Sequence, residues 1–303
     1  MSIVVIGTVF VDIKGFPFET YFPTGRNAGN VEFCNGGVGH NVAVDIANVG
    51  IDSTLLTLVD DSTGGQVLRD LKEHKVNTEY IREVPNGTGM WLAVFDHNGE
   101  LAGSISKRPV MDEVRTILDE KGDEIFRKAD SIVLEFDTDR EINERVFHYA
   151  KKYHKKVFGL VSNMTIAAQM RDLLENVDCF VCNEEEAGIL FFDDFTIQDP
   201  ETLADMLASR IEKAHIPAMV VTLGSKGAVY ASMEGERGHF PAQKVNVRDT
   251  TGAGDAFCAG MSIGLTYGKS LREAVEIGTR LASSVITVQD STCPKFRPEE
   301  FDL

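Results

Sequence analysis

The sequence predicts an α/β protein built on a mostly parallel sheet, and three observations carry that prediction. From Ile132 onward, apolar runs of strand length (132–134, 157–161, 179–182 and 218–223) alternate with helical patterns such as the one holding Ile142 and Val146, the rhythm of βαβ crossovers. The run Ile3-Val4-Val5-Ile6 at the start of the chain is a buried-strand pattern that stops at Gly7. Finally, 303 residues with 43% hydrophobic content can bury a sizeable core. No linker or repeat interrupts the pattern, so residues 1–303 are expected to form a single domain.

Composition excludes several functions. A formal charge of −17 is the wrong sign for a nucleic-acid or anionic-membrane surface, so neither partner is expected. No apolar run reaches the roughly 18 residues of a membrane span, and the first residues lack a basic leader, which together predict a cytoplasmic protein. Five cysteines fit reduced thiols better than a disulfide framework. Cys179 and Cys182 have CxxC spacing, but in a strand positions i and i+3 face opposite sides.

Taken in chain order, Asp12 follows the first strand by a few residues, at the end of a parallel sheet where ligands bind, and its carboxylate suits a vicinal diol. Residues 14–30 hold Phe16, Phe18, Tyr21 and Phe22 among prolines and glycines, a pattern for extended pieces rather than a helix. Residues 89–95 and 100–105 flank Asp96-His97-Asn98-Gly99, a hairpin signal. Between these pieces Asn35-Gly36-Gly37-Val38-Gly39-His40-Asn41 opens a helix with Val42, Ile46 and Val49 on one face. Gly37 allows close backbone approach to a ligand, and the Asn41 amide can donate to and accept from hydroxyls; His40 could face a base or merely cap the surface of that helix, the surface reading being preferred. Leu55–Val59 reads as a short buried strand, and 61–65 leads into a helix with Val67, Leu68 and Leu71 inward. Lys107 and Arg108 could steer an anionic substrate or pair with phosphate, but read rather as a solvated pair.

Further on, Asn183-Glu184-Glu185-Glu186 follows a strand and caps the next helix, with Asn183 and Glu186 three apart on one face. Thr222-Leu223-Gly224-Ser225-Lys226-Gly227 is a short loop after another strand. The stretch 249–257, Asp-Thr-Thr-Gly-Ala-Gly-Asp-Ala-Phe, is the most informative. Gly252, Ala253 and Gly254 can turn successive N–H groups toward one anion site, reinforced by the following helix dipole. Asp255 then sits against that anion, a costly place for a carboxylate unless it works as a base; the bland alternative is a tight turn and an ordinary helix-start residue. A last helix, with Ala274, Ile277, Gly278, Leu281, Ala282 and Val285 on one face, is expected to pack on the sheet.

The nonapeptide resembles the signature of the PfkB (ribokinase) family of carbohydrate and nucleoside kinases. Gly7 with Asp12, GGVGHN, NEEE and TLGSKG stand in the order of that family's other motifs. The resemblance implies a ribokinase-like, doubly wound α/β fold with a small β lid formed by about 13–33 and 89–106, through which such chains often form a homodimer. It implies an ATP-dependent kinase acting on a hydroxymethyl group of a sugar or ribonucleoside. Asp255 would be the catalytic base, with Gly252, Ala253 and Gly254 as the anion hole. Asp12, Gly37 and Asn41 would bind the substrate, and Thr222, Gly224, Gly227 and Thr251 the nucleotide. Asn183 and Glu186 would order Mg²⁺ through water. Asp249, with polar Asp290, Ser291 and Thr292 nearby, permits but does not demand a monovalent cation such as K⁺. The last helix would wall the adenine pocket. Phe10, Val38 and Ser162 depart from the ribokinase pattern, and GGVGHN is similar to the pseudouridine-kinase branch. A phosphofructokinase-like sugar-phosphate kinase would need Lys14, Arg26, Lys107 or Arg108 in the pocket; a nucleotide sensor without catalysis is the remaining alternative.

Overall fold

A computed structural model describes residues 1–196 and 199–303. The strands are β1 (Ser2–Ile6), β2 (Phe10–Pro17), β3 (Gly29–Gly36), β4 (Asp52–Val59), β5 (Ile81–Glu83), β6 (Gly89–Phe95), β7 (Leu101–Lys107), β8 (Ser131–Glu135), β9 (Lys156–Leu160), β10 (Cys179–Asn183), β11 (Ala218–Thr222), β12 (Ala228–Ser232) and β13 (Arg237–Phe240). The helices are α1 (Val38–Asn48), α2 (Gly64–Glu73), α3 (Asp112–Lys128), α4 (Arg140–Tyr153), α5 (Met164–Ala167), α6 (Glu184–Phe191), α7 (Pro200–Ala214), α8 (Ala253–Thr266) and α9 (Leu271–Val285).

The large sheet runs β13-β12-β11-β10-β9-β8-β1-β4-β5. It is parallel from β11 to β5, and β12 and β13 add an antiparallel edge. The chain steps from β1 outward to β4 and β5, then returns to pair β8 on the other side of β1, so the strand order reverses at β1, where open α/β sheets bind ligands. Alternation along each strand fills two cores. Val4, Ile6, Leu134, Phe180 and Cys182 lie on one side with α3, α4, α6 and α7; Ile3, Val5, Val133, Cys179 and Val181 lie on the other with α1, α2, α8 and α9. Cys179 and Cys182 are thus buried on opposite faces, so the two thiols do not converge on one site, and burial pushes both thiols up. β4 starts at Asp52 rather than Leu55, because Ser53 and Thr54 are drawn into backbone pairing with Ile3 and Val4 despite their polarity.

The last helix meets the sheet as expected, but most of its packing is against another helix. α9 packs chiefly on α8 and also contacts the sheet at β12 and β13. α8, buried along Ala256–Gly264, fills the intervening layer, which is why its sequence is apolar all round.

The small sheet has the order β3-β2-β6-β7. It spans 10–36 and 89–107, slightly wider than the lid bounds read from sequence, and takes in Asp12, which lies within β2 rather than in a loop after β1. Register assigns its two faces. Asp12, Cys34, Trp91 and Ser106 leave one side, and Ile13, Phe33, Leu92 and Ile105 the other. At the hairpin tip Asp96 accepts from the Asn98 and Glu100 amides at 2.8 and 2.9 Å, with Gly99 at φ 81°.

The α8–α9 contact is tight enough to predict a stability effect. A Cβ at Gly260 would stand 2.6 Å from Leu281 Cδ1 and 2.9 Å from Gly278 Cα. Gly260→Val should cost about 2 kcal/mol or more through overpacking, read as a lowered denaturation midpoint; an unchanged midpoint would contradict this packing.

Candidate active site

Two helix N-termini converge beside β1. α1 begins at Gly37, whose φ of 93° and close approach to Thr8 O and Phe10 N, 2.8 Å each for a would-be Cβ, leave room for no side chain. One turn into α1, Asn41 is 4% exposed and donates from Nδ2 to Asp255 Oδ2 at 2.8 Å. Asp255 lies in the first turn of α8, which Gly252 opens in the left-handed region at φ 78°. The Ala253 amide closes a turn onto Thr250 O at 3.3 Å. Among the described residues the Gly252, Gly254 and Asp255 amides find no acceptor, and a Cβ at Gly254 would meet open space.

Burial raises the Asp255 carboxyl from its ordinary range to about 6, outweighing the Asn41 hydrogen bond and nearby His40, while Glu186 adds a further push upward. An ionised Asp255 is therefore a cost to the fold, and that cost grows as pH rises.

The remaining predicted residues line the C-terminal edge of the sheet or the loops beside it. Asn183 and Glu186 form a reciprocal capping box, each backbone N–H reaching the other's side chain at 2.8 Å. Only Glu186 Oε2 is used in that box, and burial with neighbouring Asp137 raises this carboxyl. Thr222 pairs in register with Asn183. Gly224 and Gly227, at φ 55° and 99°, shape the turn from β11 to β12, in which the Leu223 amide reaches Gly227 O at 2.7 Å. Asp249 Oδ1 accepts from the Thr251 amide and hydroxyl at 2.9 and 2.8 Å. Among the described residues no cluster of three or more His, Cys, Asp or Glu could hold a metal by itself. A hard divalent cation held by one carboxylate, water and substrate phosphates fits Glu186, whose raised carboxyl such a charge would relieve.

A cavity of about 400 Å³ opens beside Asp12 and is lined by Lys14, His40, Gln66, Asp70, Thr251 and Asp290 among others. Burial raises the Asp12 carboxyl against the opposing pull of Lys14 and His40. His40 corrects the sequence reading. It is 3% exposed rather than a surface residue, with Nε2 at 2.6 Å from Asp70 Oδ2 and Nδ1 at 3.1 Å from Asn41 Oδ1. Asp70, on α2, was not singled out. Ser291 Oγ also donates to Asn41 Oδ1 at 3.2 Å, and the Cys293 amide donates to buried Asp45 of α1 at 2.6 Å. The segment after α9 is thereby tied to α1.

The three departures from the ribokinase pattern find structural explanations. The Phe10 ring lies against Gly89 of β6, where a Cβ would be 2.6 Å away. Val38 packs on the core. Ser162 donates from its amide and hydroxyl to Asp137, both at 2.8 Å. Arg108 is exposed, as the solvated reading has it, but its Nη2 also reaches buried Asp137 Oδ2 at 3.1 Å. Glu135, wholly buried at the end of β8, accepts from the Thr8 amide and hydroxyl at 2.6 and 2.8 Å, and burial together with Asp137 holds its carboxyl well above the usual range. Glu135 and Asp137 were missed in the sequence, although a carboxylate at the end of an apolar strand was the signal that picked out Asp12.

Backbone donors at a helix N-terminus, a carboxylate beside them and a cavity at the strand-order reversal define an enzyme for group transfer to a small polar acceptor. The chain belongs to the pfkB family of carbohydrate kinases, which it matches over residues 1–295. It is thus a phosphotransferase acting on a hydroxyl group. It is 35% identical over 288 residues to a guanosine-inosine kinase of Exiguobacterium acetylicum, covering 94% of each chain. It is 25% identical to a pseudouridine kinase of Escherichia coli (strain K12), covering 96% of this chain and 92% of that one. The ribokinase of Arabidopsis thaliana, solved with ribose and ATP, superposes with a TM-score of 0.83 at 22% identity over 97% of this chain and 96% of its own. No helix among the described residues is long and apolar enough to cross a membrane.

The raised Asp255 carboxyl sets a pH dependence of stability. Its folded value of about 6 exceeds the ordinary 3.8, so ionisation opposes folding: the penalty is absent below about pH 4, grows between the two values and is complete above about 6. Asp255→Asn should therefore melt above the wild type at pH 8, by about 2 kcal/mol after allowing for solvent in the cleft, and match it near pH 4. A variant less stable at pH 8 would contradict this burial.

Proposed function

We propose that the protein transfers the γ-phosphoryl group of ATP to the hydroxymethyl group of a ribonucleoside, with a purine ribonucleoside as the favoured acceptor. The observation that carries this reading is Asp255 itself, a carboxylate with a raised proton affinity, fixed by Asn41 at the amide-rich start of α8. Asp12 accepts hydrogen bonds from the ribose diol, while Gly37 and Asn41 bound the sugar. Asp255 takes the proton of the hydroxymethyl oxygen as that oxygen attacks the γ-phosphorus in line. The free amides around Gly252 and Gly254 receive the charge on the transferred phosphoryl, with Ala253 shaping their turn. Thr222, Gly224, Gly227 and Thr251 border the nucleotide. Asn183 orients Glu186, which would hold Mg²⁺ through water; the ion supplies charge neutralisation on the phosphates. Asp249 and the Asp290–Thr292 segment would hold K⁺ if one is used.

Two observations favour a nucleoside over a sugar phosphate. The relative at 35% identity is a guanosine-inosine kinase. Lys14 does line the cavity, as a phosphofructokinase-like reading requires, but it shares that lining with the carboxylates of Asp12, Asp70 and Asp290, which would repel a second phosphate. We further place the small sheet as a lid on a single α/β domain. Its outer face exposes Val31, Phe33, Leu92 and Ile105 at 63, 60, 42 and 70%, apolar surface that suits a second copy of the chain.

A coupled ATPase assay over guanosine, inosine, pseudouridine, ribose and fructose 6-phosphate tests the acceptor, with the largest kcat/KM expected for a purine ribonucleoside; fructose 6-phosphate leading the series would overturn it. Asp255→Asn should lower kcat roughly 10³-fold with the fold intact, and near-normal turnover would remove Asp255 as the base. Ile105→Asp should shift the chain to monomer in size-exclusion chromatography; an unaltered elution volume would reject the lid contact.

A further inference from the structure

We propose that Trp91 is the platform on which the base of the acceptor stacks, and that it selects a nucleoside over a free sugar. The inference rests on the reading that the acceptor's ribose lies against Asp12. Strands β2 and β6 run parallel with Asp12 and Trp91 in direct register, so the two side chains leave the same face of the small sheet, about 4.8 Å apart at the backbone. In a furanose the anomeric carbon adjoins the diol carbons. A base attached there lies within about one strand spacing of the group that holds the diol.

The surroundings of the indole fit such a role. Trp91 is only part-buried and belongs to neither apolar core. It is braced instead within the small sheet: Phe95 meets it edge-on with centroids 6.5 Å apart, and Phe16 stacks on Phe95 at 4.9 Å. Its register neighbour on the other side, Ser106 of β7, is small and exposed, so no bulky side chain covers the ring from that strand. The result is a large aromatic ring braced edge-on by Phe95, which Phe16 backs in turn, alongside a carboxylate suited to a diol. A free sugar offers nothing flat to such a ring, whereas every nucleobase has a π-face.

Trp91 is also the single tryptophan of the chain, so its emission reports on this site alone. Titration of the wild type with guanosine or inosine should quench or shift that emission, and titration with ribose to the same occupancy should not. In steady-state assays Trp91→Leu should lower the ratio of kcat/KM for guanosine to that for ribose about ten- to a hundredfold, mostly through the KM for guanosine, as loss of one base-stacking contact implies. Trp91→Phe should restore much of the ratio, which a purely structural role of the indole would not require. If guanosine is phosphorylated with indole emission unchanged, or Trp91→Leu depresses guanosine and ribose alike, the platform is wrong while the nucleoside reading stands. If the wild type turns over ribose but no nucleoside, the acceptor reading itself falls and takes the platform with it.

Discussion

One hydrogen bond organises the site: Asn41 Nδ2 to Asp255 Oδ2, 2.8 Å, between residues 214 positions apart. It joins the first turns of α1 and α8, and so joins the part of the chain that carries the small sheet to the part that carries the amide cluster. A part-buried carboxylate without a donor would be costly, so ionisation of Asp255 favours keeping the two helices in contact. Around this bond the other contacts accumulate. His40 and Ser291 both reach Asn41 Oδ1, which leaves the amide no freedom to turn over without losing Asp255. Asp70 holds His40 from α2, and Asp45 holds the segment that carries Ser291.

The same bond explains why the proposed base would be poised rather than simply charged. Burial by itself would keep Asp255 protonated, and full exposure would leave it too weak a base. One amide donor and the neighbouring imidazole bring the carboxyl to about 6, where it is ionised at neutral pH yet retains affinity for a proton. Glu186 works in the opposite sense, and a divalent cation near it would ease that repulsion. The arrangement costs stability, as functional sites commonly do.

Much of this was legible in the sequence, and the limits have physical causes. The parallel sheet, the hairpin and the GAGD turn rest on local patterns: apolar runs of strand length, Asn-Gly at a tip, glycines ahead of an apolar helix. Such signals survive without knowledge of what packs against them. His40 was misjudged because its neighbour on α2, Asp70, lies 30 positions away, and nothing local announces a buried imidazole with a carboxylate partner. The ion pair of exposed Arg108 escaped notice for the same reason, its partner Asp137 being 29 positions distant. Glu135 and Asp137 were within reach, since they end an apolar strand. That α9 packs chiefly on α8 depended on a third layer, which no periodicity within α9 itself could reveal.

The account stands or falls on where the reacting atoms lie relative to Asp255. A crystal structure with guanosine and a non-hydrolysable ATP analogue with Mg²⁺ is the most direct measurement. It should place the 5′-oxygen about 2.6–3.2 Å from an Asp255 carboxylate oxygen, with the terminal phosphate against the free amides at the start of α8. A terminal phosphate bound elsewhere, or a 5′-oxygen facing away from Asp255, would contradict the assignment of this carboxylate as the base.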